Sequence, residues 1–140
     1  MAAVVLLAMG WMGALSVCDI RHRRLPNALT LPGAGAILLG AAEAGRGVPA
    51  LAGAAALAAT YLLVHLIAPA AMGAGDVKLA IGCGGLTACF GVDVWFLAAL
   101  GAPLLTALVG LVAIARGVPS VPHGPSMCLA TVAALGLALG

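Results

Sequence analysis

The segment Gly73-Ala74-Gly75-Asp76-Val77-Lys78 places a carboxylate and an amine between two apolar runs of a chain that has few other charges. A charged side chain at the edge of a bilayer is costly unless it is solvated, paired or used in function. The segment therefore marks the junction of two membrane helices and makes Asp76 the first candidate functional residue. Gly73 and Gly75 are predicted to support it, because glycine permits a tight turn without the steric penalty of a Cβ atom.

The composition around this segment is that of a membrane protein. Of the 140 residues, 64% are hydrophobic and 7% are charged, whereas soluble domains carry about 25% charged residues. An apolar helix of roughly 20 residues crosses the hydrocarbon core of a bilayer, so six short spans fit this length. We predict an all-α, polytopic membrane protein with about six transmembrane helices, folded as a single domain over residues 1–140 in the lipid bilayer.

Proline, glycine and charged residues divide the apolar sequence into these spans. Pro26, Pro49 and Pro69 stand at three of the breaks, where proline prevents continuation of a helix. Gly91-Val92-Asp93 forms a further tight connection. The predicted spans cover about residues 2–17, 28–44, 50–68, 76–90, 94–115 and 126–139.

The basic residues predict the orientation of the bundle. Cytoplasmic loops of membrane proteins carry an excess of lysine and arginine. Arg46 alone falls on one side, and the loops after spans one, three and five hold the others: Arg21, Arg23, Arg24, Lys78 and Arg116. We therefore expect these three loops to face the cytoplasm and both termini to lie on the opposite side.

Several classes of partner and cofactor are not expected. The net charge is only +2, and no basic block with interleaved aromatics suggests a nucleic-acid partner. The four cysteines form no C-x-x-C pair and lie in or beside apolar runs, where free cysteine acts as a small hydrophobe. We predict no metal and no cofactor, and we assign His22, His65 and His123 to packing or interfacial solvation.

The predicted topology sorts the four carboxylates into two pairs. Glu43 and Asp93 fall on the external side, whereas Asp19 and Asp76 fall at one depth on the cytoplasmic side. Two carboxylates a few ångströms apart cannot both ionise cheaply, so they share a proton. One carboxylate can then take a proton from water while its protonated partner polarises a peptide carbonyl. This is the chemistry of an aspartic protease, which needs no metal.

Three segments resemble motifs of the type IV prepilin peptidases. Gly73-Ala74-Gly75-Asp76 resembles the GxGD motif of that family, here followed by Val77 and Lys78. Asp19 precedes a short basic segment and the Pro26-Asn27 turn, and is similar in context to the family's first catalytic aspartate. Val121-Pro122-His123-Gly124-Pro125 resembles the P-x-GP segment near the last helix.

The resemblance implies a membrane aspartic endopeptidase that removes the basic leader of prepilin or prepilin-like substrates at the cytoplasmic face of the plasma membrane. It implies catalytic roles for Asp19 and Asp76. The chain is similar to the small, peptidase-only members, so methyltransferase activity is not expected. Substrate-binding residues and the oligomeric state are not predicted.

Two other classes of function stay open on the sequence. The same acids could bind a cation or a proton in a small transporter or channel subunit, which discontinuous helices and midplane charges would favour. Asp19 and Asp76 instead fall at predicted span ends. The chain could also be a non-catalytic assembly partner of a secretion machine. Lys78 is predicted to be an interfacial anchor rather than the partner of Asp76, because residues two apart lie on different faces of a helix.

Overall fold

A computed structural model describes residues 1–140 and consists of six α-helices joined by short loops. The predicted all-α architecture and the predicted number of helices are confirmed. The helices are α1 (Ala2–His22), α2 (Asn27–Glu43), α3 (Gly47–Ile67), α4 (Ala74–Ala88), α5 (Val92–Ala115) and α6 (Gly124–Leu139).

The first helix is longer than the hydropathy pattern predicts. It continues past Val17 to His22, so that Asp19 lies within its last turns. Basic residues at a helix C-terminus interact favourably with the helix dipole, and Arg21 and His22 occupy that position. The helix ends at Arg23, which adopts a left-handed conformation with φ 53° and donates its N–H to the carbonyl of Asp19.

The outer surface of the bundle is suited to lipid. Helices α1, α3 and α5 have 21, 21 and 24 residues, with mean hydropathies of 1.9, 1.9 and 2.3, and are long and apolar enough to cross a membrane. Their outward side chains are exposed, as at Leu7 (76%), Leu66 (70%) and Leu111 (70%). The other three helices have 15 to 17 residues. The chain is therefore an all-α, polytopic membrane protein.

Helix α4 lies at the centre of the bundle. It contacts α2, α3, α5 and α6, and Leu79 and Leu86 are fully buried. An uninterrupted run from Gly82 to Thr87 is also buried, so this part of α4 has no face directed to lipid. A helix that is buried all round needs no amphipathic pattern, which agrees with its short, glycine-rich sequence.

The glycines of α4 allow three neighbouring helices to approach its backbone. A Cβ atom at Gly84 would lie 2.5 Å from the carbonyl oxygen of Gly53 in α3. A Cβ atom at Gly82 would lie 2.5 Å from the ring of Trp11 in α1, and one at Gly85 would lie 2.9 Å from Leu38 in α2. Because lipid tails are as apolar as leucine, membrane helices associate through such close packing and not through hydrophobic burial.

The end of α4 opposite Asp76 is fixed by a hydrogen bond from a loop. The guanidinium of Arg46, between α2 and α3, donates to the backbone carbonyl of Cys89. This carbonyl belongs to the last turn, where helix carbonyls lack partners within the helix. The contact is also favourable because a cation lies at the negative end of the helix dipole.

We expect Gly84→Val to destabilise the protein, because the added side chain would overlap the backbone of α3. Overpacking of this kind costs about 1–3 kcal/mol, measurable as a lower thermal unfolding midpoint in detergent. Gly13→Val in α1 is the matched control, since no atom lies within 4 Å of a Cβ at Gly13. Equal midpoints for the two variants would contradict the close α3–α4 packing.

Candidate active site

A cavity of about 320 Å³ opens where α1 ends and α4 begins. Both predicted acids, Asp19 and Asp76, line this cavity. The structure thus brings together two carboxylates that lie far apart in the sequence. The remaining lining consists of three basic residues and a largely small or polar set: Arg23, Arg24, Lys78, Leu25, Asn27, Gly73, Ala74 and Gly75.

Asp19 is held by the first residue of the last helix. Its side chain is buried, with 7% of its surface exposed, and its Oδ2 atom accepts the backbone N–H of Gly124 at 3.0 Å. The N-terminus of a helix carries unpaired N–H groups and a partial positive charge, which suits a carboxylate. A Cβ atom at Gly124 would collide with Oδ2 of Asp19, so this approach requires glycine.

This contact gives Gly124 a role that the sequence did not assign. The sequence marks the P-x-GP segment as a motif without assigning it a function. In the structure, the segment carries Gly124 to the carboxylate of Asp19. Pro125 lies in the first turn of α6, a position that proline favours. This signal in the sequence could have predicted a helix start here, and with it unpaired N–H groups.

Asp76 lies in the first turn of α4 and is half-buried. Its backbone N–H donates to the carbonyl of Gly73 at 3.2 Å, and Gly73 is the N-cap of the helix. The carboxylate is therefore placed at the positive end of the α4 dipole. Asp19 and Asp76 each lie near a helix N-terminus, one contributed by α6 and the other by α4.

The explanation of Gly73 and Gly75 by a tight turn is wrong. Gly73 has φ −74° and ψ 150°, an extended conformation that any residue adopts. Gly75 lies within α4 and has no positive φ. Its requirement is steric instead, because a Cβ atom there would lie 2.9 Å from Cβ of Leu25 in the α1–α2 loop.

Two of the three basic residues of the cavity have polar partners of their own. Lys78 donates to Oδ1 of Asn27 at 2.5 Å, which links α4 to the start of α2. Arg23 donates to Oγ of Ser120 at 2.9 Å and to its carbonyl at 3.0 Å. Arg23 therefore connects the α1–α2 loop to the α5–α6 loop.

The donor set of the cavity favours acid and base chemistry. No three side chains of histidine, cysteine, aspartate or glutamate come together as a possible metal site. What the cavity offers is a carboxylate pair, with Asp19 buried and Asp76 half-buried. Such a pair can hold a water molecule, remove its proton and return a proton to a second group.

We expect Gly75→Ala to destabilise the site and Gly73→Ala to be nearly neutral. The methyl group at position 75 would press on Leu25, with an overpacking cost of about 1–3 kcal/mol. The methyl group at position 73 would only make an ordinary contact, 3.5 Å from Oδ2 of Asp76. Thermal unfolding in detergent measures both effects, and a larger loss for Gly73→Ala would refute the steric explanation.

The sequence profile of the type IV leader peptidase family matches residues 6–139. No curated protein and no solved structure is significantly similar to the chain. The matched region includes all six helices apart from the first residues of α1, and it contains both carboxylates of the cavity. The chain therefore belongs to the type IV leader peptidase family, which is a family of peptidases.

Proposed function

We propose that the chain is an aspartic endopeptidase of the plasma membrane, acting as one transmembrane peptidase domain over residues 1–140. It cleaves the basic leader peptide of type IV prepilins or prepilin-like precursors at the cytoplasmic face. The observation that carries this proposal is the shared cavity of Asp19 and Asp76 in a chain of the leader peptidase family. The two carboxylates form the catalytic dyad.

The dyad acts by activating water. The two carboxylates share one proton, because two negative charges at close range are unfavourable. The ionised carboxylate removes a proton from a water molecule, which attacks the scissile carbonyl, while the protonated carboxyl donates to the carbonyl oxygen. Oδ2 of Asp19 accepts the N–H of Gly124, which fixes the orientation of the carboxylate while its remaining lone pairs stay available for this exchange. No covalent intermediate is formed.

The positions of the basic residues support a cytoplasmic site. Arg23, Arg24 and Lys78 line the same cavity as the two acids, and positively charged loops are retained in the cytoplasm. The hydrogen bonds to Ser120 and Asn27 hold two of these side chains against the protein. The leader enters the cavity from this side, while the apolar helix of the precursor stays in the bilayer.

We expect Asp19→Asn and Asp76→Asn each to abolish cleavage of a prepilin with a basic leader. Loss of a general acid or base reduces the rate by about 10²–10⁴-fold. The test is co-expression with the precursor, whose size on a gel reports removal of the leader. The level of each variant in the membrane fraction shows whether it still folds.

The matched control for this experiment is Asp93→Asn. Asp93 lies in the first turn of α5 and is exposed, and it does not line the cavity. Its replacement removes the same charge and should leave cleavage unchanged. Normal cleavage by Asp19→Asn or Asp76→Asn would exclude the dyad. Proton flux in liposomes without any cleavage would instead indicate a transporter.

A further inference from the structure

His123 connects three helices immediately beside the site. The sequence assigned this residue to packing or interfacial solvation, but both nitrogens of its ring have polar partners. Nε2 lies 3.0 Å from the hydroxyl of Tyr61 in α3, and Nδ1 lies 2.6 Å from the hydroxyl of Thr106 in α5. Tyr61 is buried, and His123 and Thr106 are half-buried. We call Tyr61, Thr106 and His123 the histidine cluster.

The hydrogen bonds of the histidine cluster fit a neutral ring with its proton on Nδ1. The hydroxyl of Thr106 donates to the carbonyl of Ala102 at 3.1 Å, which leaves its oxygen to accept from Nδ1–H. A neutral imidazole has one donor and one acceptor, so Nε2 accepts from the hydroxyl of Tyr61. Burial lowers the pKa of His123 and so favours this neutral form.

The histidine cluster is coupled to Asp19 through the backbone. His123 is the N-cap of α6, and its carbonyl accepts the N–H of Met127 at 3.1 Å. The next residue, Gly124, donates its N–H to Oδ2 of Asp19. Gly124 is buried, and its Cα is too close to that carboxylate to admit a Cβ. A small displacement of the start of α6 therefore moves the only hydrogen-bond donor within the protein to the Asp19 carboxylate.

We infer that His123 is a positioning residue for Asp19. Its ring anchors the start of α6 to α3 and α5, and this anchor keeps the Gly124 N–H on Oδ2. The ring itself does not line the cavity of the two acids, so it acts through Gly124 and not on the substrate. The inference rests on the proposed function, because it assigns the histidine cluster to the same reaction.

The first test is the kinetics of His123→Leu and His123→Gln. Leucine fills the space of the ring but makes neither hydrogen bond, whereas glutamine again offers one acceptor and a donor. We expect His123→Leu to lower kcat on the order of 100-fold, the effect of a misplaced catalytic group, with KM within about twofold. We expect His123→Gln to recover most of the loss. A wild-type kcat for His123→Leu, or a rise in KM alone, would overturn the inference.

A milder variant keeps the test valid if His123→Leu fails to fold. Thr106→Val removes one hydroxyl with little change in volume, and we expect kcat to fall about 10-fold, roughly the effect of one hydrogen bond. Thr60→Val is the matched control, since the hydroxyl of Thr60 bonds only the carbonyl of Ala56 in its own helix. Equal kcat values for the two variants would count against the histidine cluster.

The second test does not depend on cleavage. Dicyclohexylcarbodiimide enters membranes and modifies buried carboxyl groups, and mass spectrometry of the protein gives the rate at Asp19. We expect a several-fold faster reaction in His123→Leu than in the wild type, and a return toward the wild-type rate in His123→Gln. If the wild type cleaves no prepilin but labelling follows this pattern, the proposed function fails and the positioning role stands. If the wild type cleaves the prepilin and Asp19 is labelled at the same rate in the wild type and in both variants, the positioning role fails and the proposed function stands.

Discussion

The close approach of α4 to its neighbours is the constraint on which the rest of this structure depends. A bilayer provides no hydrophobic force that would collapse apolar helices onto one another, so the bundle requires surfaces that fit at short range. Gly82, Gly84 and Gly85 provide such surfaces toward α1, α3 and α2. Because Asp76 lies at the N-terminus of the same helix, this packing also sets the position of one carboxylate.

The other carboxylate is positioned by a different part of the chain. Asp19 lies near the end of α1, but the group that binds it belongs to the first residue of α6. The two acids are thus placed by separate contacts, α4 packing for Asp76 and the start of α6 for Asp19. The contact between Arg23 and Ser120 joins the loop that follows α1 to the loop that precedes α6. The cavity is therefore a product of the whole bundle and not of one motif.

The sequence predicted the number of helices and the pairing of the acids because both depend on local signals. Apolar runs bounded by proline and glycine define the helices, and the sparse charges leave Asp19 and Asp76 on one side. The length of α1 was missed, since polar residues near a helix end are also compatible with a loop. The contact of Gly75 with Leu25 and the bonds of His123 to Tyr61 and Thr106 were missed because they join segments far apart in the sequence, where residue spacing carries no information.

Buried positions and lipid-facing positions of the bundle differ in the substitutions that they tolerate. On the lipid-facing surface, where Leu7 and Leu111 are exposed, one apolar residue can replace another at little cost. At Gly84 or Gly124, by contrast, even a methyl group meets other atoms. Evolutionary drift should therefore spare the buried glycines and exchange the large apolar residues of the lipid-facing surface. In a water-soluble domain the variable surface is polar, whereas here it must stay apolar.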